Sequence, residues 1–206
     1  MNTTVEVIIQ LRRETGAGVM ECRKALEESQ QDYAKALTLL REAAALKAKK
    51  QTGHDALEGR IELYSHADGR IGVMVEVNTE TEFASRSQAF HTFAREIALQ
   101  ITSAAPLYVR DEDIPAQILE ELSQAAVEKA RLAGKPEQII TQITAGVVEK
   151  YLNRTVLLRQ PYIRDETLSV AQLLSQLSGA LGENIVIRRF ARWEINPDGE
   201  AAAPAS

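Results

Sequence analysis

The chain has 206 residues, a net charge of −5 from 24 basic and 29 acidic residues, and 45% hydrophobic residues, as is typical of a water-soluble protein with a substantial core. Its apolar runs are far shorter than the ~18–20 residues of a membrane-spanning helix, so we expect no membrane partner. Nucleic-acid affinity depends on neutralising phosphates, so the acidic balance also disfavours direct nucleic-acid binding.

The first 50 residues predict a compact bundle of three short helices. The two glycines of "TGAG" (15–18) suit a tight reversal between the first helix and a second one from about Val19 to Glu28. Asp32 is a suitable N-cap for the third helix, because its carboxylate can accept a hydrogen bond from an amide of the first turn. Apolar residues at helical spacing are predicted to face the interior: Val5, Ile8 and Ile9; Met20, Ala25 and Leu26; and Tyr33, Ala36, Leu37 and Leu40. Arg12 continues the pattern of the first helix with a looser fit.

A β-hairpin is predicted after a linker of residues 51–58, which carry no apolar period. From Arg60 onward apolar residues recur at every second position, and Asp68 with Gly69 supplies the turn between the two strands. The period then changes to that of a helix, so a long helix is predicted to follow the hairpin. Its buried positions are Phe90, Phe93, Ala94, Ile97, Ala98 and Ile101.

Two further helical patterns, at about 114–132 and 136–152, predict a helical hairpin that projects from the body at about 112–152. Gly134 is its predicted helix stop and Pro136 its predicted helix start. The chain is then predicted to be extended over 155–165, helical over 169–182, a last strand over 184–195 and a disordered tail over 196–206.

Together the elements predict an α+β fold with three parts: the bundle (1–50), the linker (51–58) and a core (59–195). In the core, helices cover one face of a three-stranded antiparallel sheet. The last strand is apolar on both of its alternating faces, which predicts an uncovered apolar surface of the kind that monomers rarely expose. We therefore expect a homodimer formed sheet to sheet. The uncovered face is predicted to carry Tyr64, Met74 and either Val186 and Phe190 or Ile185, Ile187 and Trp193.

The sequence carries no recognisable active site. It lacks a phosphate-binding loop, and His54, His66 and His91 have no metal-ligand spacing with one another or with the single cysteine, Cys22. We therefore expect a protein that performs no bond chemistry and needs no cofactor or metal. One cysteine cannot form an internal disulfide, which favours a reducing, cytoplasmic setting.

Phe83 raises a question because it stands in "VNTETEF" (77–83), where the chain leaves the hairpin. If a capping box from Thr79 to Glu82 begins the next helix, Phe83 is a core residue of that helix. If instead Ser85 is the cap and Gln88 completes the box, Phe83 lies outside the helix. Local sequence patterns leave both alternatives open.

Three stretches in register resemble the elongation factor Ts family: "LRRETGAGVMECRKALEES" (11–29), "GRIGVMVEVNTETEFASR" (69–86) and "LGENIVIRRFARWE" (181–194). The resemblance covers 1–195 and is to the short bacterial and plastid forms, which carry one core subdomain and dimerise. It implies a guanine-nucleotide exchange factor for the translational GTPase elongation factor Tu, in a complex of two chains with two GTPases.

The resemblance also implies a role for the TEFA segment, which consists of Thr81, Glu82, Phe83 and Ala84. In the family this segment is intrusive: its acid and its phenylalanine enter between two helices of the GTPase near the bound magnesium. Phe83 is therefore expected to be held out for the partner. The usual family form is Thr-Asp-Phe-Val, so Glu82 and Ala84 are departures, and Phe83 transfers more directly than Glu82.

Two further contact regions follow from motif position alone. Arg12, Val19 and Met20 match family residues that touch the nucleotide-binding domain, although local patterns would make them bundle core or, for Arg12, a solvated helix position. In the core, His66 at the hairpin tip and Leu181 with Gly182 are expected to flank the TEFA segment and to bind the GTPase.

Two other functions remain as alternatives. The bundle also resembles ubiquitin-associated domains, which would make the chain a protein-binding adaptor without exchange activity. The basic and aromatic stretches "KAKK" and "IRRFARW" would suit an RNA-binding factor, against the acidic balance of the chain. Neither alternative accounts for all three motifs.

Overall fold

The structure is a computed structural model that describes residues 4–195, so the predicted disordered tail, 196–206, lies outside the described residues. The described residues pack as two compact units, one formed by residues 4–99 with 171–195 and the other by 100–170. None of the helices within 4–195 is long and apolar enough to cross a membrane.

The described helices and strands follow in chain order. They are α1 Thr4–Thr15, α2 Val19–Glu28, α3 Tyr33–Gln51, β1 Glu58–His66, β2 Ile71–Thr79, α4 Glu82–Ser85, α5 Gln88–Ala104, α6 Ala116–Leu132, α7 Glu137–Thr155, β3 Pro161–Tyr162, β4 Asp165–Ser169, α8 Val170–Leu181 and β5 Val186–Glu194. Strands β1, β2 and β5 form one antiparallel sheet in that order, which confirms the predicted α+β fold class.

The three-helix bundle forms as predicted, with α2 at the predicted bounds. The carboxylate of Asp32 accepts a hydrogen bond of 3.1 Å from the backbone amide of Lys35, so the predicted cap of α3 is confirmed. Six residues from all three helices form the buried core: Leu11, Cys22, Ala25, Leu26, Ala36 and Leu40.

The predicted inward positions of α1 and α2 were wrong in part. Val5 and Ile9 are exposed, because the buried stripe of α1 passes through Leu11 and Thr15. Met20 is exposed because the buried residues of α2 are Cys22, Ala25 and Leu26. Val7 and Ile8 pack against that core. The exposed apolar residues of the bundle are therefore available to a partner.

The bundle packs on α8 through a close approach of two helix backbones. A β-carbon at Gly179 of α8 would lie 2.9 Å from both the Cα and the carbonyl oxygen of Ala44 in α3. Real β-carbons do not come that close to backbone atoms, so glycine at 179 is what allows α3 and α8 to meet.

The sheet turns one face to α5, whose six predicted apolar residues are all buried. On this face Glu62 of β1 lies opposite Val75 of β2, and Tyr64 lies opposite Val73. The guanidinium of Arg95 in α5 lies 5.8 Å from the centre of the Tyr64 ring. The prediction that Tyr64 lies on the uncovered face was therefore wrong; the apolar residues that β1 presents there are Ile61 and Leu63.

A β-bulge in β5 determines which of its side chains face the helices. Glu76 pairs with Arg189 whereas Val77 pairs with Ile187, so Arg188 is an extra residue that reverses the alternation. Ile187 and Phe190 consequently lie on the helix-covered face, while Val186 and Trp193 lie on the other. Neither predicted set of outward residues was right, because both assumed an unbroken alternation.

In the unit of residues 100–170, α6 and α7 form the predicted helical hairpin. Gly134 adopts φ +66° after α6, and Pro136 is the N-cap of α7. The stretch 155–165 was only partly extended as predicted, because a turn of 3-10 helix at Leu157–Arg159 interrupts it. The small β3–β4 ribbon was not predicted.

Candidate functional site

The TEFA segment begins a one-turn helix, α4, that the hairpin leads into directly. The hydroxyl of Thr81 accepts a hydrogen bond of 3.2 Å from the amide of Ala84 and so caps the turn. Helix α5 has a cap of its own, because the hydroxyl of Ser87 accepts from the amide of Phe90 at 3.2 Å. Both predicted capping boxes, at Thr79 and at Ser85, were therefore wrong.

Phe83 projects from this turn with 88% of its surface exposed. The next two residues, Ala84 and Ser85, are buried and hold the turn against the protein. Because the helix ends at Ser85, it does not place Phe83 on the apolar stripe of α5. Of the two open alternatives, the one that placed Phe83 in the core is contradicted.

Glu82 lies beside Phe83 and is also exposed, but it is not a free charge. Its carboxylate forms an ion pair with Arg86, one helical turn later. Such an exposed pair contributes little to stability, so Glu82 can exchange Arg86 for another partner at low cost.

Glu183 holds the base of the TEFA segment. Its carboxylate accepts hydrogen bonds from the hydroxyl of Thr79 at 2.7 Å, the amide of Thr81 at 3.1 Å and the hydroxyl of Thr81 at 2.6 Å. Burial raises the pKa of Glu183, but the hydrogen bonds from Thr81 and Thr79 outweigh it and hold this pKa below its usual value of 4.5. Glu183 is therefore a charged acceptor shared by two threonines that lie about a hundred residues away in sequence.

A second carboxylate, that of Glu80, connects the same two segments in the opposite direction. Glu80 accepts from the amide of Asn184 at 2.6 Å, and the Nδ1 atom of His54 lies 3.1 Å from both Glu80 oxygens. The side-chain amide of Asn184 donates to the carbonyl of His54 at 2.7 Å. The contacts made by Glu80 and Glu183, named here the carboxylate clasp, thus join residues 79–81 to 183–184 and to the 51–58 stretch.

Leu181 and Gly182 lie next to this clasp, so they are close to the TEFA segment as expected. Gly182 adopts φ +72° just after α8, and its amide donates to the carbonyl of Ser178 at 2.8 Å. This left-handed turn ends the helix and directs the chain toward Glu183.

His66 does not flank the TEFA segment, contrary to expectation. It pairs with Ile71 at one end of the hairpin, whereas Thr79 pairs with Glu58 at the other. At roughly 3.4 Å per residue, β1 separates His66 from Glu58 by about 27 Å. Within one chain His66 therefore lies at the opposite end of the sheet from Phe83.

Arg12, Val19 and Met20 are all exposed on the bundle, with Met20 71% exposed. The carboxylate of Glu21 pairs with Lys47 and accepts from the amide of Gly18 at 2.9 Å, and both contacts lower the pKa of Glu21. The turn that carries Val19 and Met20 is thus braced from α3, and neither residue belongs to the bundle core.

The uncovered face of the sheet carries a third exposed apolar group. Leu63, Met74 and Trp193 lie side by side with Ala191 along a shallow groove, and Trp193 is 77% exposed. The arginines of β5 offer little free positive charge, because Arg188 and Arg189 pair with Glu76 and Arg192 pairs with Glu194.

Glu80, Glu183, Asn184 and His54 were missed as site residues from the sequence. The signal available was the "LGEN" stretch (181–184), where an acid follows a glycine at a predicted helix end. Within residues 4–195, no three His, Cys, Asp or Glu side chains cluster so as to hold a metal ion.

Comparison with known proteins gives consistent matches over both units. A family model described as Elongation factor TS matches residues 2–180. The chain is 43% identical over 195 residues to elongation factor Ts of Coprothermobacter proteolyticus, covering 95% of this chain and 99% of that one. It is 44% identical over 191 residues to elongation factor Ts of Acetivibrio thermocellus, covering 93% and 89%, and 42% identical over 192 residues to that of Carboxydothermus hydrogenoformans, covering 93% and 88%.

Proposed function

Because the chain belongs to the elongation factor Ts family, we propose that it is a guanine-nucleotide exchange factor that promotes GDP release from the cytoplasmic GTPase elongation factor Tu. Such a factor breaks no bonds in its partner. It binds a state of the GTPase that holds nucleotide poorly. Thermodynamic linkage then requires that bound nucleotide lower the affinity of the GTPase for the factor by the same ratio. The observation that carries the proposal is the exposed Phe83 on a capped, anchored turn.

One aromatic side chain can supply a large part of the energy required, and the other proposed contacts would supply the rest. Lowering the affinity for GDP a thousandfold needs contacts that favour the nucleotide-free state by roughly 4 kcal/mol, at about 1.4 kcal/mol per tenfold. Burying a phenylalanine side chain contributes about 1.5–3 kcal/mol. Because Phe83 is almost fully exposed in the free protein, entering a pocket of the partner costs it few existing contacts.

Phe83 is proposed to act as a wedge between two helices of the GTPase near its magnesium ion. Magnesium demands near-ideal octahedral geometry and bridges protein to phosphate, so a small helix shift lowers nucleotide affinity. Glu82 would then leave Arg86 and perturb the polar groups around the ion. The side chain of Glu82 is one methylene longer than the aspartate that is usual in the family, so it would reach further toward the polar groups around the ion.

The bundle is proposed to hold the nucleotide-binding domain of the GTPase. Arg12, Val19 and Met20 supply a charged and apolar exposed patch on a braced turn, which suits a contact that contributes affinity and orientation. Leu181 and Gly182 would contact the GTPase beside Phe83. His66 would contact it at a separate point, since it lies at the far end of the sheet.

A homodimer is proposed to form through the uncovered face of the sheet, giving a complex of two factors with two GTPases. Leu63, Met74 and Trp193 make this face apolar, and a second copy of the same face covers it without further partners. Dimerisation leaves Phe83 free, because it projects from the turn beyond the end of β2.

Release of a fluorescent GDP analogue from elongation factor Tu tests the exchange function. Catalytic amounts of the wild-type protein should accelerate release, and Phe83→Ala should lower the maximal rate about 10- to 100-fold through the lost burial. Leu132→Ala, which truncates an equally exposed apolar residue of α6, is the matched control and should behave as wild type.

The results distinguish the remaining alternatives. Full activity in Phe83→Ala would exclude the wedge and move the mechanism to the bundle. No acceleration by the wild type would exclude exchange activity and favour an adaptor that uses Val19 and Met20.

A further inference from the structure

We infer that Glu183 is the positioning residue of the TEFA segment: its carboxylate fixes the loop from which Phe83 projects and so determines the rate of nucleotide release. The inference rests on the proposed function, which it extends to a residue outside the expected contact set. It is carried by the contacts of the carboxylate clasp and by the exposure of Phe83.

The contacts of Glu183 form a continuous chain from a helix to the wedge. The hydroxyl of buried Ser178 in α8 donates to the backbone carbonyl of Glu183. The carboxylate of Glu183 binds Thr79 and Thr81, and the hydroxyl of Thr81 in turn accepts from the amide of Ala84. A continuous series of hydrogen bonds therefore connects α8 to the turn that carries Phe83.

Few other contacts hold residues 81–83 in place. Thr81 and Phe83 are exposed, so apolar packing holds the segment only from Ala84 onward. Thr79 is fully buried, which makes its hydroxyl a rigid donor to Glu183. A segment held at both ends pays its ordering cost during folding instead of during binding, and this lowers the barrier to productive insertion.

The second half of the clasp reinforces the first. The amide of Thr81 donates to Glu183, and the amide of Asn184 donates to Glu80, so each loop caps the backbone of the other. Removing the Glu183 carboxylate leaves the Glu80 contact in place. The expected effect is therefore local loosening of residues 80–85 with the sheet intact.

Hydrogen exchange of the free protein tests the positioning directly. In Glu183→Ala, amide exchange over residues 80–85 should become at least about tenfold faster, while α5 amides stay protected. Glu183→Gln keeps an oxygen for Thr79 and for the amide of Thr81, so it should speed this exchange only about fivefold or less. Asp111→Ala is the matched control, because Asp111 also accepts three hydrogen bonds, from Arg159 at 2.7, 3.0 and 2.6 Å.

GDP release tests the consequence. Glu183→Ala should lower the maximal rate about tenfold and change the half-saturating concentration less than threefold, because the bundle contacts remain. In a Phe83→Ala background, Glu183→Ala should not lower the maximal rate further, because the side chain that Glu183 positions is absent. A general loss of folded protein would instead lower the rate equally in both backgrounds.

Several results would overturn the inference. They are unchanged exchange of residues 80–85 in Glu183→Ala, an unchanged release rate, or an equal loss with and without Phe83. If Glu183→Ala does not fold, Thr79→Val removes one of the three hydrogen bonds at constant shape and should give about a threefold loss in rate that depends on Phe83. An inactive wild type would overturn the proposed function, and hydrogen exchange would still decide whether Glu183 holds the segment.

Discussion

The carboxylate of Glu183 illustrates how one residue can link the pH dependence of stability to a binding surface. Its pKa in the folded protein is lower than in the unfolded chain, because hydrogen bonds from Thr81 and Thr79 outweigh its partial burial. A group of this kind stabilises the fold above its unfolded pKa of about 4.5, and the stabilisation is lost as the pH falls through the folded value.

The pH dependence can be measured against a variant that cannot ionise. We expect Glu183→Gln to lower the free energy of unfolding by about 1 kcal/mol at pH 7, because hydrogen bonds to a charged acceptor contribute roughly that much more than hydrogen bonds to a neutral one. This difference should shrink as the pH falls below about 4.5. Urea denaturation of both proteins at equal concentration checks it, and a difference that widens toward acidic pH would contradict the assignment.

At the scale of elements, two glycines have opposite surroundings although both lie inside helices. Gly179 in α8 lies against the backbone of Ala44, whereas a β-carbon at Gly146 in α7 would meet nothing within 4 Å. The first glycine permits a contact between the bundle and α8, and the second has no visible packing role.

Alanine substitution should therefore act in opposite directions at these two positions. Gly179→Ala should lower the free energy of unfolding by about 1–3 kcal/mol, because the added methyl forces α3 and α8 apart. Gly146→Ala should raise it by roughly 0.5–1 kcal/mol, since alanine is the better helix former at an exposed position. Chemical denaturation measures both, and equal effects would show that the close approach at Ala44 carries no energetic weight.

At the scale of the whole molecule, the uncovered sheet face and the TEFA segment are separate surfaces of one unit. The face is apolar because β1 turns Ile61 and Leu63 outward and the bulge at Arg188 places Trp193 beside them. A dimer through this face would leave both copies of Phe83 accessible.

A charge at the centre of the face should separate the proposed dimer. Met74→Glu is expected to raise the dimer dissociation constant roughly a hundredfold or more, because the carboxylate would have to be buried without a partner. Sedimentation measures the mass, and emission of Trp193, the single tryptophan, should shift to shorter wavelength on dimerisation of the wild type. Leu132→Glu on α6 is the control, and a Met74→Glu protein as dimeric as the wild type would rule out this interface.

Periodicity within a short stretch was enough to predict the bundle, the cap at Asp32, the hairpin and the buried stripe of α5. Each depends on residues only a few positions apart, and backbone geometry repeats over that range. The motifs in 69–86 and 181–194 likewise pointed to Phe83 and to Leu181 with Gly182.

Tertiary structure decided what depends on distant pairing. The alternating pattern of β1 does not predict which set of its residues faces the helices. In the structure Glu62 pairs with Val75 and therefore faces them. The bulge at Arg188 reversed β5, and the bonds from Thr79 and Thr81 to Glu183 join residues about a hundred positions apart. Such contacts depend on register and loop closure, which local patterns do not encode, and they determine that Phe83 projects from the protein.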